Sequence, residues 1–220
     1  MIRSNLGLAA ALWMIAALGT GCAATRSEVR LASPAAAPAA TVPATGKVVV
    51  IRSVTDARVF EQAPRDPSVP SLGGEGAGTA SAEIKARAIG RKRNAYGMAM
   101  GDVMLEPGKT VEAVVRENLA TALGQAGFQV RDARAGGAAP LMIDVRIRKF
   151  WAWLTPGAFT MTVEALIETD LSAPGAAPVS VNVRTSDARM IITDGAWIEL
   201  VDKALQEYRA QVASKAGAWR

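Results

Sequence analysis

Residues 141–150 read Leu-Met-Ile-Asp-Val-Arg-Ile-Arg-Lys-Phe. Leu141, Ile143, Val145 and Ile147 alternate there with Asp144, Arg146 and Arg148. The same period of two returns in residues 159–171. Phe159, Met161, Val163, Ala165, Ile167, Thr169 and Leu171 alternate with Thr160, Thr162, Glu164, Glu168 and Asp170. It returns again where Val179, Val181 and Val183 alternate with Ser180, Asn182 and Arg184. Successive strand side chains point to opposite faces, so each segment has one dry and one wet side. Three such strands in succession predict an antiparallel meander. Pairing the first two as a hairpin sets Arg146 and Arg148 across from Glu164 or Glu168, which favours that register.

Upstream, Val111, Val114, Val115, Leu119, Ala122 and Leu123 recur at helical spacing, predicting a helix over 110–126 with Gly127 closing it. Phe128-Gln129-Val130 then starts a strand. Residues 47–54 (Lys-Val-Val-Val-Ile-Arg-Ser-Val) predict a first, central strand, since both faces are apolar. Trp197, Val201, Ala204, Leu205, Tyr208 and Val212 form the stripe of a second helix over 195–214, capped by Thr193 or Asp194. Two helices need a dry face to cover. The expected architecture is α+β: a two-layer sandwich, with a mostly antiparallel sheet and two helices packed on one face.

Between these elements lie less regular stretches. Residues 55–81 hold Pro64, Pro67, Pro70 and the run Gly73-Gly74-Glu75-Gly76-Ala77-Gly78, a long loop. The glycines neither follow a strand nor open a helix, so a flexible loop is favoured over a phosphate cradle. Residues 83–105 read as two short strands joined by a basic turn.

The composition excludes much. The 220 residues include no histidine and one cysteine, Cys22. Ser-His-Asp and Cys-His catalysis are therefore excluded, along with the common zinc sites. No disulfide can form, and neither cofactor nor metal is expected. Carboxylate, Lys or Tyr chemistry stays open. A formal charge of +5 is mild; it suits anionic headgroups or cell-wall polymers.

The N-terminus has a charged start at Arg3, an apolar core over 6–18 and small residues Gly19, Thr20 and Gly21 before Cys22. These are the parts of a secretory signal, too short to span a bilayer. Leu18-Gly19-Thr20-Gly21-Cys22 resembles a bacterial lipobox, which implies cleavage before Cys22 and its acylation. Ala23 after the cysteine implies, by analogy, a periplasm-facing place on the outer membrane. Residues 22–46, rich in Ala, Pro and Thr, read as an anchored tether. That leaves 47–216 as one periplasmic domain after a 1–21 signal peptide. An exported protein has no nucleic acid as partner.

Three groups of residues are candidates for function. Lys85, Arg87, Arg91, Lys92 and Arg93, with Asn94, form a basic segment able to grip phosphate, carboxylate or an acidic partner, or simply to be solvated. Trp151 and Trp153 precede the turn at Pro156-Gly157. Alternation sends both to the face of Val145 and Ile147, and Phe150 to the other; they either cap the core or form an aromatic binding patch. Asp56 and Arg58 follow the first strand, and without a histidine or thiol partner a structural role is favoured.

The lipobox, the strand ending in Asp56-x-Arg58, the segment Ile89-Gly90-x-Lys92-x-Asn94-x-Tyr96-Gly97 and the helix ending at Gly127-Phe128 together resemble the YajG family of Gram-negative lipoproteins. The resemblance implies location and fold, and no reaction. The expected function is a membrane-anchored, non-enzymatic binding or accessory module in envelope assembly or maintenance, with an envelope protein as partner. A peptidoglycan or lipid binder is the alternative; a carboxylate-based glycan hydrolase comes third.

Overall fold

The computed structural model describes residues 26–34, 46–74, 76–94, 96–131, 140–157 and 160–219. The expected signal peptide, Cys22 and much of the Ala/Pro-rich segment lie outside them. In chain order the elements are β1 (Ser27–Val29), β2 (Val48–Asp56), α1 (Gly76–Thr79), α2 (Ala82–Arg87), β3 (Ala88–Arg93), β4 (Ala99–Leu105), α3 (Val111–Gln125), β5 (Gln129–Val130), β6 (Leu141–Pro156), β7 (Met161–Ser172), β8 (Val179–Arg189) and α4 (Asp194–Ala216), closed by a 3₁₀ turn, Gly217–Trp219.

The meander forms as expected: β6 pairs antiparallel with β7, and β7 with β8. The rest of the sheet corrects the expectation. β6 is long enough to take two partners on its other edge, β2 beside its first half and β3 beside its second, both parallel. β5 adds to β2 and β1 to β4, again parallel, while β3 and β4 form an antiparallel hairpin. The sheet is therefore mixed, not mostly antiparallel. The connections between β2, β3, β5 and β6 are long enough to cross over, which parallel pairing requires.

The side-chain parity of β6 changes partway. Opposite Thr169 and Glu168 of β7 stand Ile147 and Lys149, so Arg148 is an extra residue, a β-bulge. One inserted residue exchanges the faces of everything after it. Before the bulge, Ile143, Val145 and Ile147 face the main core; after it, Phe150, Ala152 and Leu154 do. Trp151 and Trp153 are thereby turned to the opposite face, the reverse of simple alternation. Arg52 makes a similar bulge in β2, so Val49, Ile51 and Val54 all reach the main core.

That opposite face is not open along its whole length. Leu72, Ala80, Ala88, Met104, Trp151, Trp153 and Leu166 bury a second cluster, with Phe60 and Ile84 packed against it. Its cover is the Pro- and Gly-rich segment after β2, including α1 and α2. The expected two layers, with two helices on one face as the only cover, do not describe this end of the sheet. Residues 82–87 form a helix, where a strand was expected, because Ser81 caps it: its hydroxyl accepts from the Ile84 amide at 3.2 Å. The glycine run opens one turn of helix at Gly76 and does not follow a strand.

In the main core, α3 and α4 are joined by Asn118, which is buried and accepts from Arg209 at 2.5 Å. α3 ends as expected: Gly127 has φ 86°, its amide donates to Gly124 and that of Phe128 to Leu123, a Schellman closure. α4 also guards the exposed edge of β8, since Lys215 and Gln211 donate to the carbonyls of Ser180 and Asn182. No helix among the described residues is long and apolar enough to cross a membrane.

The N-terminal boundary also shifts. Ser27–Val29 lies within the stretch read as tether, yet it is a strand of the sheet. Val29 is buried in the main core and Leu31 packs against it. Composition hid this, since three residues need only one buried Val to dock on an existing edge. At the other end the domain runs on through the buried Trp219.

Gly90 sets the approach of β3 to β6. A Cβ there would stand 2.6 Å from the Ala152 carbonyl oxygen, which is backbone and cannot swing aside. Gly90→Ala is expected to cost about 1–3 kcal/mol in urea denaturation, the range of overpacked sites; wild-type stability in that variant would contradict the close contact.

Candidate functional site

Asp56 and Arg58 form a buried staple. The Arg58 side chain is wholly buried. Its guanidinium donates twice to the Asp56 carboxylate, at 2.8 and 2.7 Å. It also donates to the carbonyls of Ala88 (2.5 Å), Phe150 (3.2 Å) and Lys85 (2.7 Å) and stacks over the Phe60 ring at 5.2 Å. These carbonyls belong to β3, β6 and α2, so the pair ties the second cover to the sheet. A planar guanidinium suits this task, with several donors in one fork. With every donor group engaged, Arg58 holds the cover in place and offers nothing to a ligand.

Trp151 and Trp153 are both buried. Trp151 Nε1 donates to the Pro67 carbonyl at 3.1 Å, and its ring meets Phe60 edge-on at 6.0 Å. Trp153 Nε1 donates to Glu164 at 3.0 Å, while Arg184 lies over its ring at 5.4 Å. For Glu164, burial alone would raise the carboxyl, but Arg184, Thr155 and Trp153 together hold it below its usual range. The tryptophans thus fasten the long loop to the sheet and form no exposed patch.

The basic segment is split between α2 and β3; it is not gathered in a turn. Arg87 donates to the Leu105 carbonyl at 2.8 Å and to Glu28 at 2.5 Å. Lys92 donates to Ser27 at 2.5 Å and to Asp194 at 2.6 Å. Lys85 lends its carbonyl to Arg58. Arg91 lies 3.9 Å from the buried Asp102, whose carboxylate also accepts from the Gly73 amide. Arg93 donates to the Gly97 carbonyl at 3.1 Å. Burial, and then the neighbouring Arg91 charge, pull the Arg93 guanidinium below its ordinary value. Asn94 turns the hairpin, accepting from the amides of Tyr96 and Met98. The segment is thus mainly a set of internal braces, and what it presents outward is the hairpin tip beyond Asn94.

A second surface was not anticipated. Below the cover the wet face of β2, β6 and β7 stays open as a groove of about 500 Å³, where Ser53, Thr55, Asp144, Arg146 and Asp170 stand among the apolar Ala57, Val145, Leu171 and Pro178. Asp144 accepts from Ser53 at 2.6 Å and from both arms of Arg52. The hydrogen bonds from Arg52 and then Ser53 hold its carboxyl at about 2. Asp170 pairs with Arg148 at 2.9 Å and accepts from Ser180 at 2.7 Å. Arg146 stands opposite Asp170 and Arg148 bridges to it, so the expected pairing with Glu164 or Glu168 is displaced. The alternation of charge along β6 and β7 did signal this face. What it lacked was β2, whose place beside β6 depends on parallel pairing. Tyr208, on the apolar stripe of α4, is buried against Thr169, and burial pushes its hydroxyl up to about 12.

No family model matches the chain, and no curated protein matches it. Among solved structures it is similar to an uncharacterized protein, at a TM-score of 0.43 and 8% identity over 86% of this chain and 99% of that one. It is similar to a Xanthomonas campestris protein of the family DUF330, at 0.41 and 13% over 89% and 94%. It is also similar to a minor lipoprotein from Acinetobacter baumannii, at 0.33 and 9% over 46% and 84%. None of the three bears the YajG name, and likenesses this distant carry no function across.

Two outcomes follow from this geometry. Arg58→Ala leaves the part-buried Asp56 carboxylate without its cation and three carbonyls without their donor, and is expected to cost about 3–5 kcal/mol in chemical denaturation; a loss under about 1 kcal/mol would contradict the staple. Asp144, depressed in the fold, stabilises it fully above its ordinary value of 3.8, and that contribution is lost as pH falls towards about 2. Carboxyl NMR should find it titrating near about 2, and returning upward in Arg52→Ala.

Proposed function

We propose that this chain is an envelope lipoprotein of YajG-like character, held through acylated Cys22, whose domain acts by binding a partner and not by turnover. The observation that carries the binding reading is the state of the groove. Both of its carboxylates are already matched by arginines, Asp144 by Arg52 and Asp170 by Arg148. A general acid needs a carboxyl raised towards neutral pH, and Asp144 is pulled the other way. Paired charges flanked by the hydroxyls of Ser53 and Thr55 form a surface of fixed donors and acceptors. Such a surface recognises a polar segment through hydrogen bonds with little rearrangement. An envelope protein offering a polar segment is the occupant this reading favours.

The lipobox residues support the anchor, and the fold is compatible with it, since β1 begins five residues after Cys22 and needs nothing upstream to dock. Mass spectrometry of the N-terminal peptide from membrane-extracted protein is expected to show Cys22 as the first residue, carrying acyl chains. A free thiol or an intact signal peptide would overturn the anchor. For the binding reading, a photo-crosslinking residue at position 146 should capture one discrete envelope partner in cells, and the same residue at exposed position 203 should not. Equal labelling from both positions would contradict the groove.

A further inference from the structure

The strand ladder decides which end of the domain meets the anchor. β1 runs parallel to β4, with Ser27 beside Val103, and β4 starts at the β3–β4 hairpin. The chain therefore enters β1 from the hairpin end. Lys92 holds Ser27 at 2.5 Å, and Arg26 lies 3.7 Å from Asp102. Cys22 is four residues before Arg26, and four extended residues reach at most ~14 Å. From the level of Asp102 to Met98 at the hairpin tip, four residues of strand rise ~13 Å. Whatever path the intervening residues take, Cys22 scarcely outreaches the tip.

The same end carries the exposed apolar side chains. Six large ones are exposed among the described residues, and all but Val59 lie here. Tyr96 and Met98 occupy the tip, 89% and 61% exposed, and Met100 follows on β4. Met190 and Ile191, 81% and 76% exposed, occupy the loop between β8 and α4. That loop leaves β8 at Arg189, which pairs with Met161 beside Pro156, the end of β6. The Lys92–Asp194 contact at 2.6 Å then draws it across to β3. Single exposed apolar residues are ordinary, but a group at one end of a fold marks a contact surface.

We propose that this rim is a membrane-docking surface: the hairpin tip and the β8–α4 loop seat in the interfacial layer of the bilayer that holds Cys22. The proposal rests on the lipoprotein reading above. Tyr96 suits the headgroup level, and Met98, Met190 and Ile191 suit the acyl boundary just beneath it. The domain then stands with β6 rising from the membrane. Twelve residues separate Pro156 from Asp144, so the groove is lifted by ~35–40 Å along the strand.

The test uses residues 22–220 coupled through Cys22 to a maleimide phospholipid, in phosphatidylcholine–phosphatidylglycerol vesicles whose acyl chains carry a diazirine. After irradiation, residue-resolved mass spectrometry is expected to find adducts on 94–100 and 189–192 several-fold above those on 173–178 at the far end. Tyr96→Asp, Met98→Asp and Ile191→Asp together should abolish that excess. Adducts spread equally over both ends, enriched at the far end or absent would overturn the proposal. The chemical coupling does not depend on acylation in cells, so a free Cys22 in the native host would sink the lipoprotein reading while the rim is still decided by its own labels.

Discussion

Strand β6 carries one residue more than β7 opposite it, at Arg148, and the interior of the domain depends on that mismatch. A strand whose parity never changed would send Val145 and Trp153 to the same face. The bulge separates them. The first half of β6 faces the main core with Ile143, Val145 and Ile147 and presents a charged wet face behind. The second half is buried on both sides, because Trp151 and Trp153 have a core of their own. Burying two indoles against Leu72, Met104 and Leu166 removes enough apolar surface to hold an otherwise irregular segment. A Pro- and Gly-rich stretch thereby becomes a fixed layer.

The cover still needs its polar groups satisfied, and Arg58 does this. Once the loop lies on the sheet, the carbonyls of Lys85, Ala88 and Phe150 turn towards a dry space. One guanidinium, neutralised by Asp56, reaches all three. A lysine could not, having a single donor centre. Burial of such a pair brings little net stability but makes other arrangements of the loop costly, since each would strand a charge. The same economy recurs at Asp102, which lies between Gly73, Arg26 and Arg91. Side chains that suggest chemistry when read along the chain are thus consumed in holding the layers together.

What remains for function is what the layers leave uncovered. The cover ends partway down the sheet, exposing the groove between Ser53 and Asp170. At the opposite end of the strands the two loops present Tyr96, Met98, Met190 and Ile191. β1 brings the N-terminal end of the described chain to that second place and leaves the first clear of it. Under the proposed anchoring at Cys22, the short connection and the early docked strand would limit how far the domain can wander from a membrane. This is a different device from a long flexible tether.

The meander, the two long helices and their caps were legible in the sequence, because each is a local pattern: a period of two, a period near 3.6, a threonine before a helix and a glycine after one. The absence of histidine and of a second cysteine was equally plain, and it removed whole classes of chemistry without reference to any fold. The face that Trp151 and Trp153 occupy was not legible, since a bulge adds one residue whose presence depends on what the partner strand does. Nor was the parallel seat of β2 and β3 beside β6, or the strand hidden in the Ala- and Pro-rich leader. The uses of Arg58, Arg91 and Lys92 were likewise undecided. Local pattern reports which way a side chain points relative to its neighbours in sequence. Only the tertiary structure decides what stands opposite it, because pairing between distant segments is set by the burial and the hydrogen bonds of all of them together.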